Sequence, residues 1–277
     1  MNRKTVLITG SSSGIGKATA KYFQSKGWNV IATMRSPENE KELNKLPNLL
    51  CTKLDVTKPD TIRKAIDEGI KSFGTIDVLI NNAGYGLVGP FEGAGKEQIQ
   101  RQFETNVFGL MEVVRAILPI FRKKKKGSIL NVASMGGRIT FPLYSLYHST
   151  KWAVEGFSES LQYELEPFGI RVKIIEPGAI ATDFIGRSAD STSDQAPKEY
   201  KDFTDIVYGN MMKAMNTSTG EQVAKVLFKA ANDSSRRLRY AVGMDAKGLL
   251  GLRKFVSDGI LFGMMRLSLL RSTKSVA

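Results

Sequence analysis

Cysteine and histidine are all but missing from this chain: Cys51 and His148 are the only examples in 277 residues. A single cysteine excludes an intrachain disulfide, and Cys51 falls in a predicted buried strand, compatible with a reducing cytoplasm. No metal is expected. Long apolar runs are lacking too, since the uncharged stretch from Gly259 to Met265 is far short of the ~20 residues of a membrane span. The first predicted strand begins close to Met1, leaving no room for a secretory leader of ~15–30 residues, so a cytoplasmic location is expected. Acidic residues are few against basic ones, 27 to 40, giving a formal net charge of +13. That charge raises nucleic acid or an anionic membrane as partners. The densest basic run, Arg122 to Lys126, ends a predicted helix, where cations complement the helix dipole, and no aromatic residues are interleaved to stack on bases. Nucleic acid is therefore not expected.

What is present is a chain that is 42% hydrophobic, long enough to bury a full core, with apolar strands alternating with amphipathic helices from its first residues. The pattern predicts one α/β domain, a Rossmann-like doubly wound parallel sheet with helices on both faces. Strands are expected near Thr5–Thr9, Asn29–Thr33, Leu49–Leu54, Val78–Asn81, Ser128–Ser134, Arg171–Glu176 and Arg239–Gly243. Long helices are expected at Gln98–Arg122 and Ser145–Phe168. The division expected is a dinucleotide-binding and catalytic unit over 1–243 and an apolar, basic helical tail over 244–277 packed on it.

Two patterns carry chemistry. The first is Val6-Leu7-Ile8 followed by Gly10, Gly14 and Gly16, a strand running into a glycine-punctuated turn and then an amphipathic helix. Glycine permits close backbone approach, and the helix start would aim unpaired N–H groups at a pyrophosphate. The second is Ser134 followed thirteen residues later by Tyr147-His148-Ser149-Thr150-Lys151. Residues four apart share a helix face, so an ammonium at Lys151 could lower the pKa of the Tyr147 phenol from its ordinary value of about 10. Ser134 would hold a substrate oxygen while Tyr147 exchanges a proton with it. His148 points about 100° away around the helix and is read as structural or as a substrate-side contact.

Together, TGSSSGIG at Thr9–Gly16, LDV at Leu54–Val56, NNAG at Asn81–Gly84, Asn106, Ser134, YHSTK and PG at Pro177-Gly178 followed by Thr182 resemble the short-chain dehydrogenase/reductase family. The three residues between Gly10 and Gly14 match its compact single-domain branch, and the whole is similar to steroid- and retinol-dehydrogenase-like members. The resemblance implies an oxidoreductase interconverting a carbonyl and a primary or secondary alcohol. It implies a catalytic set of Asn106, Ser134, Tyr147 and Lys151, with Asn106 helping to hold a water that links the lysine to solvent. It also implies cofactor contacts from Gly10, Ser12, Ser13, Gly14, Ile15 and Gly16, from Asp55 and Val56 at the adenine, and from Asn82, Ala83 and Gly84. Tyr147 and Lys151 would meet the ribose, and Pro177, Gly178, Ile180 and Thr182 the nicotinamide end.

Cofactor choice is read at the end of the second strand. No acidic residue stands there to accept from a ribose 2′-hydroxyl, and Arg35 offers a permanent cationic fork suited to phosphate, so NADP(H) is expected. Substrate walls are expected from Ser134, Gly136, Leu143, Tyr144, Tyr147 and Phe184, which favours a hydrophobic small molecule. A non-catalytic nucleotide sensor is the alternative, but sensors typically lose the Tyr or Lys. By analogy a dimer or tetramer is expected through the long helices. The segment 248–271 reads as a lid or subunit interface in preference to peripheral membrane contact.

Overall fold

The structure, a computed structural model, describes residues 3–180, 189–214 and 217–271. In chain order the larger elements are β1 (Thr5–Ile8), α1 (Gly14–Ser25), β2 (Asn29–Met34), β3 (Leu49–Lys53), α2 (Pro59–Phe73), β4 (Val78–Asn81) and β5 (Gly86–Val88). They continue with α3 (Lys96–Phe103), a π turn (Glu104–Phe108), α4 (Gly109–Lys124), β6 (Gly127–Val132), α5 (Ser145–Leu165), β7 (Ile170–Pro177) and β8 (Ala189–Ser191). Last come α6 (Lys201–Ala214), α7 (Gly220–Asn232), β9 (Arg239–Val242), α8 (Met244–Leu252) and α9 (Asp258–Leu269).

Seven strands form one sheet in the order β3-β2-β1-β4-β6-β7-β9, every neighbouring pair parallel. Strands covered on both faces read as near-continuous apolar runs, and TVLI in β1 and VLIN in β4 are buried at every residue. Successive side chains of β1 divide between two cores: Leu7 joins Ile66, Val113, Phe121 and Val154, whereas Val6 and Ile8 join Phe23, Val223 and Leu227. Helices α2, α4 and α5 thus cover one face, and α1 and α7 the other.

All seven strands fall where the apolar runs predict them, with ends shifted by one or two residues. The fold adds a separate parallel pair, β5 with β8, which ties the segment after β4 to the segment after β7. The expected long helix at Gln98–Arg122 is continuous but passes through the π turn, which contains Asn106. Strand order reverses between β1 and β4, and the turns that follow β1, β4 and β6 leave from that edge. Beyond β9, Ala246 and Leu250 of α8 pack against Ile139, and α9 lies beside α6, where the Asn210 amide donates to the Leu269 carbonyl at 3.0 Å.

Candidate active site

The glycine turn leaves β1 with Gly10 and Gly14 both at positive φ, 68° and 51°. Gly16 has no room for a side chain, since a Cβ there would stand 2.1 Å from the Gly10 carbonyl oxygen. The turn is braced from β4: the Asn82 amide donates to the carbonyls of Thr9 and Gly10, both at 3.0 Å, and Thr9 Oγ1 accepts from the N–H groups of Asn82 and Ala83. At the start of α1, Ser13 makes no side-chain cap and the first turn holds no acidic residue. The leading N–H groups of α1 are therefore unshielded toward an anion, and Ser12 and Gly14 are exposed.

Arg35 follows the end of β2, the strand paired with β1, and is exposed with no ion-pair partner among the described residues. Asp55 sits just past β3, where one carboxylate oxygen accepts from the N–H and hydroxyl of Thr57 at 3.0 and 2.8 Å. Val56 is buried against Gly109. Gly84 lies beside Asn106, so that a Cβ there would come within 3.0 Å of the Asn106 side-chain oxygen.

Ser134, Tyr147 and Lys151 converge at the ends of β6 and β7. The Ser134 hydroxyl accepts from the Gly136 N–H at 3.0 Å, donates to the Pro177 carbonyl at 3.5 Å, and hydrogen-bonds Tyr147. The buried Lys151 ammonium donates to the Val132 carbonyl at 2.9 Å and lies 5.6 Å from the centre of the Tyr147 ring. Burial pulls the Lys151 pKa down to about 8, against the opposing pull of Glu155 one turn further along α5. For Tyr147 the expected depression is absent. Burial pushes the phenol up to about 12, with only the Ser134 hydrogen bond acting the other way. The lysine is turned to the β6 carbonyl, and so does not offset the desolvation of the phenol.

Asn106 is buried, and its amide donates to the Tyr85 carbonyl at 2.8 Å and to Thr150 Oγ1 at 3.1 Å while its oxygen accepts from the Tyr85 N–H. Its side chain thus locks the chain after β4 to α5. His148 is buried and neutral, with burial pulling its pKa down to about 4. Its Nδ1 accepts from the Phe141 N–H, and its ring stacks on Tyr144 and fills the space beside Gly136.

Among the expected substrate-side residues, Gly136 bonds Ser134 through its N–H and Tyr144 lies beside Tyr147, whereas the buried Leu143 accepts through its carbonyl from the Gly89 N–H. Tyr144 lies 6.3 Å from the Tyr147 ring centre, and Leu143 takes a positive φ of 67°. Pro177 ends β7, Gly178 pairs with β9 through the Val242 carbonyl, and Ile180 bridges to Ser218. Thr182 and Phe184 lie outside the described residues.

Three groups escape sequence reasoning. Tyr208 of α6 comes close enough to Tyr144 to help push that phenol up to about 12, after burial. Asp245 accepts from the Ala179 N–H at 2.7 Å and occupies the space a Gly178 Cβ would need, 2.2 Å from the carboxylate, so it fixes the turn after Pro177. The buried Glu155 and Glu176 and the half-buried Arg239 and Arg138 form a charged cluster behind Lys151, with Arg239 to Glu155 at 3.0 Å and Arg138 to Glu176 at 3.5 Å. Only the acidic or basic letter marks these residues in the sequence, and their partners are remote along the chain.

A sequence model of the family described as short chain dehydrogenase matches residues 4–192. An uncharacterized oxidoreductase of Schizosaccharomyces pombe is 43% identical over 84% of this chain and 98% of its own length, and bovine (Bos taurus) retinol dehydrogenase 8 is 31% identical over 94% and 88%. Among solved structures, a short-chain dehydrogenase from Streptomyces avermitilis superposes with a TM-score of 0.83 at 32% identity, covering 96% of this chain and 97% of that one. ElxO with NADP bound does so with a TM-score of 0.72 at 29% identity, covering 86% and 97%.

Proposed function

Since the chain belongs to the short-chain dehydrogenase family, we propose that it interconverts a carbonyl and a primary or secondary alcohol on a hydrophobic small molecule, using NADP(H). The observation that carries the reading is the Ser134–Tyr147 hydrogen bond beside a buried Lys151, on the same sheet edge as the braced glycine turn. NADP(H) would supply or accept the hydride, leaving to the protein position, dryness and a proton path.

The residues fit that cofactor. The unshielded N–H groups of Gly14, Ile15 and Gly16, with Ser12 and Ser13 beside them, suit its pyrophosphate. Arg35, without an ion-pair partner among the described residues, suits a 2′-phosphate, and ElxO, which carries NADP, is a neighbour in fold. Asp55 and Val56 would flank the adenine, Tyr147 and Lys151 the ribose, and Pro177, Gly178 and Ile180 the nicotinamide end. Ser134 would orient the substrate oxygen. Tyr147, held protonated at neutral pH by burial, suits the role of proton donor to an oxygen gaining charge, and Lys151, mostly charged near neutrality, would hold the ribose. Asn106 would serve by fixing the start of α5 through Thr150. Leu143, Tyr144 and Gly136 give the substrate side an apolar wall.

The test is fluorescence titration with NADPH and NADH, followed by NADPH oxidation against hydrophobic ketones and aldehydes. Tyr147→Phe should lower turnover by about 10²–10⁴-fold and leave NADPH affinity nearly unchanged. Equal turnover in that variant, or no binding of either nucleotide, overturns the reading.

A further inference from the structure

We propose that the C-terminal segment is a docking surface for an anionic phospholipid bilayer. In α9 only some of the apolar residues face the protein. Leu261 and Leu269 are buried and Met265 is half-buried toward the protein, whereas Ile260, Met264 and Leu267 follow one another at three- and four-residue spacing and are exposed. No apolar residue among the described ones covers this second stripe, on a helix already packed through another face. Leu267 is 64% exposed, and Phe255, in the link between α8 and α9, is 88% exposed. The link is held in place: Arg253 pairs with Asp258 at 3.4 Å and lies over the Trp152 ring of α5.

The charges around the stripe choose the occupant. Lys247, Lys254, Arg266 and Arg271 are exposed and have no ion-pair partner among the described residues, and the segment's exposed acid, Asp258, is already paired with Arg253. A second copy of a chain with a net charge of +13 would bring the same cations against them. An anionic lipid surface meets both features at once, taking up the apolar stripe at its acyl boundary and the cations at its headgroups. No described helix is long and apolar enough to cross a membrane, so the contact is peripheral.

Flotation of the purified full chain with phosphatidylcholine vesicles, with and without phosphatidylglycerol, tests this. The protein should float with the anionic vesicles and not with the neutral ones. Ile260→Ser/Leu267→Ser should lower the bound fraction by roughly tenfold or more at unchanged melting temperature. Lys254→Gln/Arg266→Gln, which leaves the apolar stripe intact, should cost roughly fivefold per cation. The proposal is overturned if the wild type ignores anionic vesicles, or if both double variants float as it does. It also fails if Ile260→Ser/Leu267→Ser turns a wild-type dimer into a monomer by sedimentation velocity while vesicles recruit neither form.

Discussion

Arg35 is a side chain whose value depends on what surrounds it less than on where it stands. It leaves β2 next to the glycine turn, exposed and without an ion-pair partner among the described residues, so an arriving phosphate need not displace an internal carboxylate. A charge-assisted hydrogen bond of that kind is worth about 1.5–3 kcal/mol. Arg35→Asp should therefore weaken NADPH binding by roughly ten- to a hundredfold and improve the ratio in favour of NADH, because a carboxylate repels the 2′-phosphate and accepts from a 2′-hydroxyl. Efficiencies with the two nucleotides measure it directly, and an unchanged ratio would remove Arg35 from the cofactor site. Tyr147 shows the opposite dependence. Its neighbours along the helix are legible in the sequence, but its pKa follows from burial and from the direction Lys151 takes, toward the Val132 carbonyl.

Between elements, α5 packs two titratable groups against its surroundings with opposite consequences for stability. Glu155 is buried, and desolvation, then the nearby Glu176, pushes its pKa up to about 7 in spite of Arg239 and Arg138. A carboxyl raised in the folded state contributes stability that is complete below its ordinary value near 4.5 and is lost as pH rises toward 7. His148, buried and pulled down to about 4 from 6.5, does the reverse: its contribution is complete above 6.5 and is lost as pH falls toward 4. Each amounts to about 3 kcal/mol, and over pH 4.5–6.5 they oppose each other. Melting temperature should thus fall more steeply on acidification in Glu155→Gln than in the wild type, because one of the two raised carboxyls that oppose His148, Glu155 and Glu176, has been removed. A flat profile in the variant would defeat the assignment. None of this was readable from composition, because Glu155 and Arg239 meet only once α5 packs on β7 and β9. The seven strands were readable, as double-sided burial in a parallel sheet favours near-continuous apolar runs, even where β7 carries the buried Lys173 and Glu176. The β5–β8 pair was not: each strand has three residues, too short for a period, and the partners lie a hundred residues apart. Nor was the π turn at Asn106, for the apolar pattern of Glu104–Val114 runs through it unbroken.

For the whole molecule the excess of 40 basic over 27 acidic residues sets a long-range field, and topology limits where it acts. The densest cationic run, Arg122–Lys126, ends α4 immediately before β6 begins, at the sheet edge opposite the glycine turn. One member of that run, Lys124, is already tied to Asp77. At an ionic strength near 0.01 M the screening length is about 30 Å, enough for charges on both edges to attract an anion. Near 0.15 M it is about 8 Å, and only cations around the cofactor crevice still count. NADPH association, followed by stopped-flow fluorescence, should therefore slow by about tenfold or more between these conditions. NADH should slow less, as it lacks about two of the negative charges. Arg35→Gln separates the local contribution from the diffuse one: it should weaken equilibrium binding of NADPH at both salt levels and leave most of the salt dependence of the association rate in place. If association is instead equally fast at both salt levels, the positive charge does not steer the cofactor, and its use lies elsewhere on the surface, as at the cations around α9 that have no ion-pair partner among the described residues.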